Sequence, residues 1–341
     1  MTTTTRAATA ALMSALGCAA LAGTAGAQAT GALPHASGAA KQAKAKRQQA
    51  VAIEFAAVAG NAPVRCGQPI AGLGTTGAAA QLTDFRFFVS DVKLLRRDGR
   101  AVTVRLRRDS PFRVTRGKAA VTLIDLENGT GGCAGGTRAT NASVRGTVPA
   151  GDYVGARWSV GVPYALNHSD ATTAPAPLNS AAMAWSWQVG RKFTKIEVSD
   201  PAVAGAAPWS ARTFFVHLGS TGCVGNPATG ATARCAAGNR AEIVLKRFDP
   251  KRQRVAVDVK ALTAGNDVTK NGGGAPGCMS AASDPECGAV FRALGLKLTG
   301  GGADDGGMDH GDMGDGGMDH GAMGGMAAAA PQQTVFRPIR R

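Results

Sequence analysis

The sequence predicts an all-β fold: a single sandwich- or barrel-like domain with long loops, cross-linked by disulfides. Three observations predict it. About ten short segments alternate apolar and polar residues between clusters of turn-forming Gly, Pro, Asn and Asp, which is the spacing of a sandwich or barrel. Helical periodicity is nearly absent, and only Cys287 to Leu296 (CGAVFRALGL) reads as a short helix. Finally, Cys66, Cys133, Cys223, Cys235, Cys278 and Cys287 remain once an N-terminal leader is set aside, an even number that reads as a disulfide framework in an exported chain.

Residues 1–27 read as a leader, a cleavable secretory signal peptide. Arg6 gives it a basic start, Ala10 to Gly23 is a short apolar run, and Ala25-Gly26-Ala27 fits a small-x-small cleavage site. The run is too short to span a membrane, and no other stretch approaches the roughly 20 apolar residues a spanning helix needs. Cys18 lies within it, but Ala15 stands where a lipid-attachment motif wants Leu, so lipid anchoring is not expected. Residues 28–50, rich in Ala, Gly, Gln and Lys, read as a disordered lead-in.

The folded domain is expected over residues 51–299. Its strands are, in order, Val51 to Val58, Leu82 to Leu95, Ala101 to Leu106, Val121 to Leu126, Ser143 to Val148, Tyr153 to Gly161, Thr213 to Leu218, Ala241 to Phe248 and Val255 to Val259. Arg97-Asp98-Gly99-Arg100 has hairpin-turn chemistry between two of them, and Gly60 to Ala79 reads as a Gly-rich loop. Met183, Trp185 and Trp187 would share one face of a further strand, continued by Phe193 to Val198 beyond Gly190. Six cysteines allow 15 pairings, which the sequence leaves open. Local spacing favours Cys223 with Cys235 and Cys278 with Cys287, leaving Cys66 with Cys133. The absence of any CxxC argues against metal–thiolate ligation.

Residues 300–341 change character and read as a low-complexity tail. Met308, Asp309, His310 and Gly311 recur approximately as Met318, Asp319, His320 and Gly321. Between 308 and 326 lie Met308, Met313, Met318, Met323 and Met326 with His310 and His320, five of the chain's nine methionines. Thioether and imidazole together suit Cu(I), so the tail reads as a copper collector. The chain's formal charge is +15, yet residues 301–330 carry six Asp and no Lys or Arg, so the basic excess lies in the domain. With 5% aromatics and dispersed Lys and Arg, nucleic acid is not the expected partner; an acidic protein or anionic membrane surface fits better.

Two histidines fall in the domain. His168 sits in Asn167-His168-Ser169-Asp170 ahead of a Pro-rich loop, and His217 shares a strand face with Phe215. An isolated domain histidine is most often structural, and two tryptophans under a loop are most often core. Two imidazoles with no third protein ligand nearby suit Cu(I) better than zinc. No GxSxG, HExxH or phosphate-binding loop is present, so no enzyme is expected. Asp84, Asp91, Asp125 and Asp258 lie on strands, where ion pairs or turn contacts are the default.

Several segments together resemble the MbnP-like family of periplasmic copper proteins, the four-Cys member of a metallo-mystery pair. They are DFRFFVSDVKLLRRDG (84–99), LIDLENGTGGC (123–133), GVPYALNH (161–168), APLNSAAMAWSWQVGRKF (176–193), HLGSTGC (217–223) and APGCMSAASDPEC (275–287). The resemblance covers residues 51–298 and leaves out the lead-in and the tail. It implies a periplasmic Cu(I) site made of two histidines, matched by His168 and His217, and a kynurenine formed from Trp185 or Trp187. It implies too a partner, a di-haem enzyme of the cytochrome c peroxidase/MauG type, that oxidises the tryptophan. Arg191 departs from the pattern, since an aromatic is expected after the glycine of WSWQxG. The competing reading is an exported β-rich interaction or structural module in which only the tail binds metal.

Overall fold

The computed structural model describes residues 47–185, 190–202, 208–226, 231–298 and 331–341. Residues 46–341 make one compact unit of two main sheets. One sheet runs in the order Phe336–Arg340, Gln253–Asp258, Gln48–Ala59, Ser143–Pro149, Arg105–Leu106. The other runs Ala241–Leu245, Gly155–Val160, Ala78–Leu95, Thr194–Ser199, Thr213–Leu218, Gly277–Cys278, with shorter strands added along Ala78–Leu95. The strand Ala78–Leu95 is the spine because its run from Phe85 to Val92 is buried on both faces apart from Asp91. Asp91, at φ 53°, is the extra residue of a bulge: Arg157 faces Lys93 while Ser159 already faces Ser90.

The core between the sheets holds four aromatic rings in edge-to-face contact. Phe55 meets Phe87 and Trp158 at 5.4 and 5.7 Å, and Phe336 meets the same two at 5.9 and 5.8 Å. Tyr153 closes one corner by donating its hydroxyl to the Pro149 carbonyl at 2.7 Å. Asp258 ends its strand and caps the helix Val259–Thr263, accepting from the backbone N–H of Lys260 and Ala261. The disulfides are Cys66–Cys133, Cys223–Cys235 and Cys278–Cys287, as local spacing favours. No helix among the described residues is long and apolar enough to cross a membrane.

The structure corrects several expectations. Residues 331–341, read as the end of the tail, rejoin the fold: Val335 and Phe336 are buried, and Phe336–Arg340 pairs with Gln253–Asp258. The Met- and His-bearing stretch therefore lies between two parts of the fold; its predicted ligands at 308–326 are outside the described residues, as is the leader. The first strand begins at Gln48, inside the expected lead-in, and Gly60 to Ala79 contains the strand Pro69–Leu73. Ala101 to Leu106 splits, its halves pairing in different sheets. The tryptophan strand does not run on through Gly190 either. Met183 ends a short 3-10 helix, and Ala184 and Trp185 pair antiparallel with Arg191 and Gly190.

Candidate metal site

His217 is placed by the strand Thr213–Leu218. Phe214, Val216 and Leu218 enter the core, so Phe215 and His217 take the opposite face by period-two alternation. Across the sheet His217 faces Lys195, and Lys195 faces Arg86 on the spine. A chain of charges follows from that register. His217 Nε2 lies 2.7 Å from Glu197 Oε1, Lys195 Nζ lies 2.8 Å from the same oxygen and 2.5 Å from Asp84 Oδ2, and Asp84 pairs with Arg86. Burial holds the His217 imidazole below its ordinary range, and the Glu197 bond only partly offsets it. Glu197 is pushed up by burial, but the bonds from His217 and Lys195 outweigh this and hold its carboxyl below the usual range. His217 is thus neutral near pH 7 with a proton on Nε2 facing Glu197, which leaves Nδ1 as the ring atom that could take a metal.

His168 is held differently. It follows the four-residue helix Tyr164–Asn167, is buried, and meets the Tyr164 ring at 4.8 Å with the two planes tilted by 58°. Its Nε2 lies 3.1 Å from Asn167 Nδ2 and 3.4 Å from Cys235 Sγ. Arg191 pins this segment. Its backbone N–H donates to Asn167 Oδ1 at 2.9 Å, and its guanidinium donates to the carbonyls of Asn167, Ser169 and Leu178. Burial pushes the Arg191 guanidinium down to about 10, against the pull of Asp170. The departure noted in the sequence is therefore the clamp of the His168 loop, a role for which the sequence offers no signal.

Trp185 is buried against Gly219, where a Cβ would overlap the indole ring. That glycine follows His217 by two residues, and three hydrogen bonds hold the turn: Ser280 accepts from the Gly219 N–H and donates to the His217 carbonyl, while Asn239 donates to the Gly219 carbonyl. Asn167 Nδ2 reaches Ser220 Oγ at 3.4 Å, and the Asn167 side chain fills the space over Gly190. The segments bearing His168, Trp185 and His217 thus meet through their neighbours. Trp187 lies outside the described residues. Among the described residues, the clusters of three potential metal-ligating side chains are His168 with Cys223 and Cys235, and Glu127 with Cys66 and Cys133; neither includes His217.

Sequence reading missed Glu197 and Ser280. Glu197 was findable only in part, because alternation in Thr194–Ser199 gives its face but not its partner. Asp84, Asp91 and Asp258 do form the expected ion pairs, with Arg86, Arg240 and Arg337. Asp125 differs: burial, then Glu127, raise it to about 7, and its Oδ1 has no partner among the described residues.

The MbnP family model matches residues 48–280. The chain belongs to the MbnP family. A solved structure, MbnP from Methylosinus trichosporium, is 40% identical with a TM-score of 0.63, over 74% of this chain and 90% of that one. No curated protein matches. The matched span begins with the first strand and ends at Ser280, the residue that pins the turn after His217. Both histidines, Trp185, Glu197 and Arg191 therefore lie inside the MbnP region, whereas the Met- and His-bearing stretch lies outside it.

Proposed function

We propose that the chain is a periplasmic copper protein, not an enzyme, that holds Cu(I) through His168, His217 and a kynurenine derived from Trp185 or Trp187. The reading is supported by MbnP membership and, above all, by the His217–Glu197 pair. A buried imidazole kept neutral, with its second nitrogen occupied by a carboxylate, is the arrangement that orients a metal ligand. The residues fit copper chemically, since two neutral imidazoles form a low-coordination donor set that a soft monovalent ion tolerates. An unmodified indole adds nothing to such a set, because its nitrogen is only a donor. Oxidative ring opening supplies an aniline nitrogen and a ketone oxygen.

The oxidant is expected from outside the chain, from a di-haem enzyme of the cytochrome c peroxidase/MauG type. What the chain supplies is position: Gly219 lets the Trp185 ring lie beside the His217 turn, and Arg191 joins the Trp185 hairpin to the His168 loop. The three disulfides suit the oxidising compartment this role requires. The stretch with Met308, Met313, Met318, Met323, Met326, His310 and His320 would gather copper separately. Cu(I) titration of full-length protein after exposure to the di-haem partner tests the reading. His217→Ala should remove the tightest equivalent while deletion of residues 300–330 lowers only the total; loss of the tightest equivalent on deletion alone would contradict this division.

A further inference from the structure

The Cys223–Cys235 disulfide differs from the other two in its surroundings. Cys278 and Cys287 are buried and Cys66–Cys133 is open to solvent only at Cys66, whereas both Cys223 and Cys235 are partly exposed, so a reductant can reach either sulfur of this pair. It links directly opposed residues of the hairpin Thr221–Asn226 and Ala231–Ala237. That hairpin does not depend on the disulfide for its place. Its strands pair through their backbones, Tyr164 Oη donates to the Thr232 carbonyl at 2.7 Å, Ser220 Oγ donates to Gly238, and Asn239 Nδ2 reaches Thr221 Oγ1. Beside the sulfurs stands an imidazole: His168 Nε2 is 3.4 Å from Cys235 Sγ, and the ligand atoms of His168, Cys223 and Cys235 lie within 4.8 Å of one another.

We propose that Cys223, Cys235 and His168 form a second, thiol-gated site for a soft metal ion, closed while the disulfide is intact. A dithiol reductant opens it by exchange: the Cys223–Cys235 bond breaks, the reductant becomes a disulfide, and its two electrons and two protons leave two thiols on the hairpin. A soft ion such as Cu(I) then displaces both thiol protons and binds two thiolates and one neutral imidazole. Metal–sulfur and metal–nitrogen bonds of about 2.0–2.3 Å set three ligand atoms roughly 3.8 Å apart around a trigonal ion. The sulfurs reach that value by separating, a movement of two side chains on a hairpin that its backbone already holds, while the imidazole on the neighbouring loop already lies 3.4 Å from Cys235 Sγ. The site shares His168 with the proposed core site but not His217 or either tryptophan; a neutral imidazole offers one lone pair and serves one ion at a time, so His217→Ala, which empties the core, isolates the thiol site.

The test uses full-length protein with Cu(I) kept reduced by ascorbate, either untreated or briefly exposed to dithiothreitol and desalted without oxygen. Alkylation followed by mass mapping should label Cys223 and Cys235 before any other cysteine. In the His217→Ala variant, where no core ion competes for His168, competition with a chromophoric Cu(I) chelator should then show one equivalent more than in the same variant left untreated, with copper–sulfur scattering in X-ray absorption. That added equivalent should vanish in the Cys223→Ser, Cys235→Ser double variant. His168→Gln should leave the thiols reactive but weaken the added equivalent by about tenfold or more, since even outer-shell partners are worth about 10–100-fold. Earlier opening of another disulfide, no added equivalent, or an added equivalent indifferent to His168→Gln would each overturn the proposal. Failure of protein exposed to the di-haem partner, but not to dithiothreitol, to bind at the core would count against the copper reading above and leave this increment to be judged on its own.

Discussion

The two histidines of the proposed site are held by opposite means. His217 is fixed by sheet register: the strand sets its face, cross-strand pairing brings Lys195 opposite, and Glu197 takes one ring nitrogen. His168 sits on a loop with no ladder of its own, fixed by one buried arginine that donates to three carbonyls, and it rests against a disulfide. The difference predicts where each is vulnerable. A sheet-borne ligand should yield to changes in charge, and a loop-borne ligand to loss of its clamp.

The largest effect expected is therefore at Arg191. Arg191→Ala strips partners from the carbonyls of Asn167, Ser169 and Leu178, a loss of about 2–4 kcal/mol. Chemical denaturation should show it, and hydrogen exchange should speed up over 164–178 while 213–218 stays protected. Equal acceleration in both segments would erase the distinction between loop and sheet. Next comes Asp125, which faces Arg86 across the sheet. Its carboxyl keeps a proton up to about pH 7 when folded but loses it near 4 when unfolded, so its contribution is present at low pH and is lost as pH rises through that window. Asp125→Asn should accordingly raise the melting temperature at pH 8 relative to the parent, and much less at pH 5.

Gly219→Ala ranks third, because its Cβ would overlap the Trp185 ring and sit 3.0 Å from the Arg191 carbonyl oxygen. A cost of about 1–3 kcal/mol is expected, with a shift in tryptophan fluorescence that a surface alanine would not cause. The smallest effect on stability is at Glu197. Glu197 raises the His217 pKa, so Glu197→Gln should move the imidazole titration, followed by NMR, further below its ordinary range. An upward movement would show that Glu197 does not stabilise the charged ring. The parent, whose His217 stays neutral when folded, should lose stability as pH falls below the ordinary histidine value, where the unfolded chain takes up the proton first.

The same contrast explains how much the sequence disclosed. Thr213–Leu218 has the bounds its alternation predicts, because one face fills the core and any slip in register would expose Phe214, Val216 and Leu218. The disulfide pairing followed from local spacing for the two short loops, and the third was what remained. The segment 184–198 was misread because alternation alone cannot show where a chain reverses: Trp185 and Gly190 face each other across a hairpin. Phe336 was hidden by the low-complexity stretch before it, although its ring meets Phe87 and Trp158 in the core. Partners remote in sequence, such as Glu197 for His217 and Ser280 for Gly219, are set by topology and leave no local pattern.

The central claim is that a tryptophan beside these histidines becomes a copper ligand. Peptide mapping of residues 182–191 after exposure to the di-haem partner tests it most directly. Conversion to kynurenine, a net loss of one carbon and gain of one oxygen, should add about 4 Da to a peptide carrying Trp185 and Trp187, and tight Cu(I) binding should appear with it. An unmodified peptide, together with tight copper binding unchanged in the Trp185→Phe, Trp187→Phe double variant, would contradict the account.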